Sequence, residues 1–167
     1  MYEPMATHLE TERLTLRPWS ERDAGDYRAL VAERGDGVPT VEAIRERIAT
    51  LLATSARNGI SLLPVCRRIE GDVIGYCGLT VGRATVEEPE IAYELVRRAH
   101  GRGYATEAAR VVLDAASATG RGRLWATVRP WNAPSLRVLE KLGFQRDHVD
   151  TDEKGEVVWL TRTLSRG

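Results

Sequence analysis

The chain has 167 residues, and its 24 Lys and Arg balance 24 Asp and Glu, so the formal net charge is zero. A domain of this length can bury roughly 70% of its extended-chain surface, and 43% hydrophobic with 29% charged residues is an ordinary globular composition. Balanced charge, the lack of a long apolar run and the lack of a secretory leader argue against a nucleic-acid partner, a membrane partner or export; the expected location is cytoplasmic.

Residues 1–8 read as a frayed terminus and 9–167 as one domain. Alternation at Leu14 and Leu16 predicts a first strand over 12–18. Ser20 with Asp23 three residues on starts a helix whose apolar face is Tyr27, Leu30 and Val31, and Gly35-Asp36-Gly37 ends it. Thr40 caps a second helix, with Ala43, Ile44, Ile48, Leu51 and Leu52 on one side, stopped by Asn58-Gly59. Residues 60–69 and 73–81 read as central strands joined by a hairpin turn at Glu70-Gly71-Asp72. Their cysteines, Cys66 and Cys77, are expected on neighbouring strands as reduced core residues. Neither has metal-ligand spacing with a histidine, so no metal is expected.

A strand follows over 90–96, with Ile91, Tyr93 and Leu95 on one face and Glu90, Ala92 and Glu94 on the other. Next come a basic glycine loop and a helix from about Gly103 to Ala118, stopped by Gly120-Arg121-Gly122. Residues 124–128 form a strand expected to lie parallel to 90–96, because a helix connects them. A last helix carries Leu136, Leu139 and Leu142 inward, with Gly143-Phe144 as a left-handed cap. A hairpin of 145–150 and 157–164 closes the chain.

The strand–loop–helix over 90–108 organises the rest. The first amides of a helix lack internal partners and point outward with the helix dipole behind them. Gly101 and Gly103 let an anion approach the backbone, and Arg97, Arg98 and Arg102 add positive charge. On their own, the two glycines read as turn residues.

The whole stretch resembles the acyl-CoA signature of the GNAT (GCN5-related N-acetyltransferase) family. That signature runs Gln or Arg, two residues, Gly, one residue, then Gly or Ala. His100, Gly103 and Ala105 match in one register, with His100 departing from Gln or Arg, and Arg98, Gly101 and Gly103 in another. The first agrees with Gly-Tyr-Ala-Thr-Glu-Ala at 103–108, which is how the RimJ/RimL-like branch, acting on ribosomal-protein N-termini, opens this helix. Two further runs fit: Leu9 to Pro18, and Val128 to Ser135 with Leu139 to Phe144.

The resemblance implies the GNAT acyl-CoA N-acyltransferase fold: an α/β architecture with a mixed, twisted sheet, a central splayed pair of parallel strands, and helices on both faces. It implies acetyl-CoA as co-substrate, no metal, and direct acetyl transfer to a primary amine in a ternary complex. The acceptor is a protein N-terminus or, alternatively, a small-molecule amine; a silent acyl-CoA-binding module is the rival. A monomer or homodimer is expected. No cysteine or serine nucleophile is suitably placed for an acyl-enzyme.

By the same resemblance, the backbone at Leu95 and Val96 pairs with the pantetheine arm. Arg97, Arg98, Gly101, Arg102, Gly103, Tyr104, Ala105 and Thr106 surround the diphosphate. Asn132 is a helix cap from the residues alone, and by resemblance also a pantetheine ligand. Ser135 reads as a helix-start serine or as the proton donor to the leaving sulfur, since Leu139 holds the position where many members carry tyrosine. Glu90 reads as a strand-end surface carboxylate or as the general base, with Glu87 and Glu88 beside it. Tyr93 reads as packing. Trp19, Trp125, Trp131 and Trp159 read as packing or as walls of the acceptor pocket.

Overall fold

The structure is a computed structural model that describes residues 2–165. One eight-stranded sheet runs through it in the order β1-β2-β3-β4-β5-β6-β8-β7. The strands are β1 (Leu9–Glu10), β2 (Leu14–Leu16), β3 (Leu62–Arg67), β4 (Val73–Thr80), β5 (Glu90–Leu95), β6 (Arg123–Val128), β7 (Gln145–Asp152) and β8 (Gly155–Thr163). Only β5 and β6 pair in parallel; every other neighbouring pair is antiparallel. Helices α1 (Ala24–Ala32) and α2 (Val41–Asn58) precede β3, α3 (Tyr104–Ala118) links β5 to β6, and α4 (Ala133–Lys141) follows β6.

The helix ends form where the side chains allow them. Ser20 and Asp23 make a reciprocal capping box ahead of α1, and Arg17 holds the buried Asp23 carboxylate through two 2.8 Å bonds. Thr40 Oγ1 accepts from the Ala43 amide, and Gly59 ends α2 in the left-handed region. After α4, the Gly143 amide donates to Glu140 and the Phe144 amide to Leu139, the double-bonded left-handed cap that Gly-Phe implies.

Two apolar clusters sandwich the sheet. Ala108, Ala109, Val112 and Ala116 of α3 are fully buried, in the cluster that also holds Ile91, Leu79 and Cys77. Small side chains let this helix lie close on the strands that carry the site. The α1 and α2 residues Tyr27, Val31, Ile44 and Ile48 form the second cluster, with Trp19 packed on Tyr27.

Several expectations are corrected. Residues 2–8 are not frayed: the Glu3 amide bonds Thr119, the Met5 amide bonds Gly59, and Met5 is buried. Met1 lies outside the described residues. The first strand shortens to Leu14–Leu16, and β3 stops at Arg67, leaving Ile69 exposed beside the turn. Leu52 is also exposed, whereas its neighbour Leu51 packs against the second cluster with Ile44 and Ile48. The cysteines do occupy neighbouring strands, Cys77 facing Leu63 and Cys66 facing Val73, but only Cys77 is a core residue and Cys66 is half-buried. Burial pushes the Cys77 thiol up to about 12, which keeps it protonated and inert.

Candidate active site

The site begins where the sheet splits. β5 and β6 each have six residues but meet only at Glu90 and Trp125. Beyond that pair the strands diverge and leave a gap. The β4–β5 register puts Ile74 opposite Val96, and the Val96 amide bonds the Ile74 carbonyl at 2.8 Å. Backbone groups alternate along an antiparallel pair, so Tyr93 and Leu95 turn their N–H and C=O groups away from β4 and into the gap. Of the pair expected there, Leu95 faces the gap, whereas the Val96 amide belongs to the sheet and Val96 is buried. His100 Nε2 lies 2.8 Å from the Leu95 carbonyl, folding the loop back across the strand end.

The gap opens into a cavity of ≈ 720 Å³ bounded by β5, the 97–103 loop and the N-termini of α3 and α4. Gly103, at φ 79°, turns the chain into α3, and no side chain caps this end. The first intrahelical bond runs from the Glu107 amide to the Gly103 carbonyl. The amides of Tyr104, Ala105 and Thr106 therefore have no partner within the helix, and these residues line the cavity with Gly101 and Gly103. Glu107 fixes this turn. Its carboxylate accepts from Thr11 Oγ1 at 2.5 Å and from Arg13 Nε at 2.7 Å. Burial favours its neutral form, yet these bonds prevail and hold Glu107 below the usual carboxylate range.

Charge is arranged differently from the sequence expectation. Arg98 turns away to pair with Asp72 at 2.7 Å, and neither Arg98 nor Arg102 lines the cavity. Arg97 lines it, but is bonded to Glu33 through its amide and guanidinium. Arg137 and Lys141 of α4 supply the cations that the sequence reading missed. Among the described residues neither is ion-paired. Their signal was present: Pro134, Arg137, Val138 and Lys141 recur at helical spacing, and all four line the cavity.

Asn132 Oδ1 caps α4 by accepting from the Ser135 amide at 3.3 Å. Both residues line the cavity. Ser135 Oγ lies 2.9 Å from the Tyr93 hydroxyl, and Tyr93 lines the same space from β5. Burial pushes the Tyr93 phenol up to about 12 although the Ser135 contact works the other way, so it stays neutral at physiological pH.

Glu90 does not line this cavity. It is buried at the closed end of the gap, not at the surface. One carboxylate oxygen accepts from Thr127 Oγ1 at 2.6 Å and the other from the Arg83 amide. Gly82 lies against it, so that a Cβ there would push the Glu90 carboxylate from its place. Glu88 accepts from Trp125 Nε1 at 3.0 Å. Of the tryptophans, Trp19 is core, Trp131 is 79% exposed, and Trp125 and Trp159 pack edge-on beside His148.

The split sheet thus leads with free backbone to an uncapped helix start. The chain's relatives give the family. The model of the acetyltransferase (GNAT) domain matches residues 13–145. The Bacillus subtilis (strain 168) protein YkkB is 32% identical over 147 residues, covering 82% of this chain and 84% of its own. A solved acetyltransferase from Agrobacterium tumefaciens str. C58 is 30% identical, with a TM-score of 0.78 and 94% of each chain covered. Mycobacterium smegmatis RimJ, solved with CoA-disulfide, superposes with a TM-score of 0.76 at 23% identity, covering 97% of this chain and 86% of its own. The chain belongs to the GNAT acetyltransferase family and has its fold. Among the described residues, no helix is long and apolar enough to cross a membrane, and no three potential ligands cluster for a metal.

Proposed function

We propose that this protein moves the acetyl group of acetyl-CoA directly to a primary amine, with a protein N-terminus as the acceptor. The carrying observation is the continuity of backbone amides without a partner in the sheet or helix: those of Tyr93 and Leu95 in the gap, then Tyr104, Ala105 and Thr106 at the start of α3. Strand-like pairing suits the amide-containing pantetheine arm, and helix amides suit the diphosphate. Arg137 and Lys141 fit the remaining phosphate charge. RimJ from Mycobacterium smegmatis, which has the same fold, was solved with a CoA derivative. The N-terminal acceptor rests on the RimJ/RimL-like run at 103–108.

Bound acetyl-CoA would supply the activated thioester. The chain's own groups hold it, orient it and move protons. A Leu95 or Tyr93 amide facing the gap is available to the thioester oxygen. Glu90 takes the proton that the acceptor nitrogen must lose; each of its oxygens has one bonded donor and keeps a further acceptor position. Ser135, at the cavity wall, gives a proton to the departing sulfur.

The test is CoA release from acetyl-CoA against a panel of N-terminal peptides and small amines. Turnover on peptides with a free α-amine supports the reading. Turnover on small amines alone overturns the acceptor assignment, and acetyl-CoA binding without any turnover overturns the catalytic one. Glu90→Gln, which keeps the shape but cannot take a proton, should lower kcat with acetyl-CoA affinity unchanged, and an unchanged kcat would overturn its role as the base.

A further inference from the structure

We infer that Tyr93 is a positioning residue for proton delivery, acting through Ser135 on the sulfur that leaves during acyl transfer. The inference rests on the reading above and deepens it. The Tyr93 hydroxyl and Ser135 Oγ lie 2.9 Å apart, and they come from the two walls of one cavity, β5 and the first turn of α4. Leu139, buried in the core on the next turn of α4, has no hydrogen to give. The phenol supplied from the facing strand does.

The Tyr93 hydroxyl has two acceptors within reach, Ser135 Oγ at 2.9 Å and the Ser135 carbonyl at 3.3 Å. The phenol, a stronger acid than a primary alcohol, is assigned as donor over the shorter contact, with Ser135 Oγ accepting. Ser135 then keeps its own hydrogen free to point into the cavity. A serine that gave up this proton alone would be left as an alkoxide. With Tyr93 behind it, Ser135 passes its hydrogen to sulfur as the carbon–sulfur bond breaks and the nitrogen–carbon bond forms. The phenolic hydrogen moves to Ser135 Oγ in the same event. The negative charge is left on the Tyr93 oxygen. The acceptor ammonium gives its first proton to Glu90, and the second proton, shed by the nitrogen once it is bonded to carbon, restores the phenol. The sum is one amide and one free thiol, with no other reactant. Tyr93 was read from sequence as packing; its partner lies 42 residues away, beyond the reach of local pattern.

The experiment measures steady-state CoA release for the wild-type protein, Tyr93→Phe, Ser135→Ala and the double variant, with acetyl-CoA affinity measured by calorimetry on each. Tyr93→Phe retains the ring and its packing. The expected result is a kcat lowered roughly tenfold by each single change. That is below the 10²–10⁴ usual for proton transfer, because a thiolate leaves readily. The KM and Kd for acetyl-CoA should move less than about twofold, and the double variant should fall no further than either single one, because the hydroxyls act in series. An unchanged kcat in Tyr93→Phe overturns the inference, as does a double variant whose loss is the product of the two. Wild-type protein that releases no CoA with any amine overturns the proposed function itself. Wild-type turnover with an unaffected Tyr93→Phe variant overturns the role of Tyr93 alone.

Discussion

Gly103 allows backbone strain and ligand charge to be separated by experiment. Its φ of 79° lies where a side chain costs about 1–2 kcal/mol. A Cβ built there meets only Arg13 Nη2 at 3.5 Å, an ordinary contact, so Gly103→Ala should pay the backbone cost and little else. At this chain length that lowers Tm by about 3–6 °C. Gly103→Asp pays the same cost, but its carboxylate sits at the positive end of α3, which returns about 0.3–1 kcal/mol. The aspartate variant should therefore be at least as stable as the alanine variant. Binding should move the opposite way. A carboxylate about 5 Å from one phosphate charge, at an effective dielectric constant near 20, costs about 3 kcal/mol, or roughly 100-fold in affinity. Thermal unfolding and acetyl-CoA calorimetry on the pair read both quantities. Equal affinities for the two variants would refute an anion held at the start of α3.

Other perturbations address separate parts of the molecule. Arg137→Glu with Lys141→Glu should weaken acetyl-CoA binding by about 10–100-fold at low salt, and calorimetry should show the difference shrinking at high ionic strength. Asp23→Ala strands the Arg17 guanidinium and removes the Ser20 capping box, so chemical denaturation should show a loss of about 3 kcal/mol with acetyl-CoA affinity unchanged. Asp72 is held down to about 2, first by the bonds from Arg67, against burial, and then by Arg98. A depressed carboxylate contributes stability that is fully present above its ordinary value near 3.8 and is lost as pH falls through about 2. Urea unfolding between pH 5 and 2 should show this loss, and Asp72→Asn should flatten it.

How far the sequence reached follows the range of the interactions. Helix starts were legible because Ser20, Asp23 and Thr40 bond amides two or three residues away. Gly59 and Gly143 mark helix ends because left-handed backbone is a local demand. The strand–loop–helix around Gly103 was legible for the same reason. Order in residues 2–8 was not, since Glu3 and Met5 are held by Thr119 and Gly59, far along the chain. The direction of Arg98 depends on Asp72, 26 residues earlier, so counting charges near the loop credited the cavity with a cation it does not have. Glu90 looked like a surface acid because nothing local reveals Thr127 or the Arg83 amide closing over it.

The proposed function requires main-chain amides at the sheet split and at the start of α3 to meet acetyl-CoA. Backbone amide NMR on labelled protein titrated with acetyl-CoA tests this residue by residue. The resonances of Tyr93, Leu95, Tyr104, Ala105 and Thr106 should shift and exchange more slowly with solvent, while Val96, already bonded to Ile74, changes little. Saturable binding that leaves those five amides unperturbed would contradict the account.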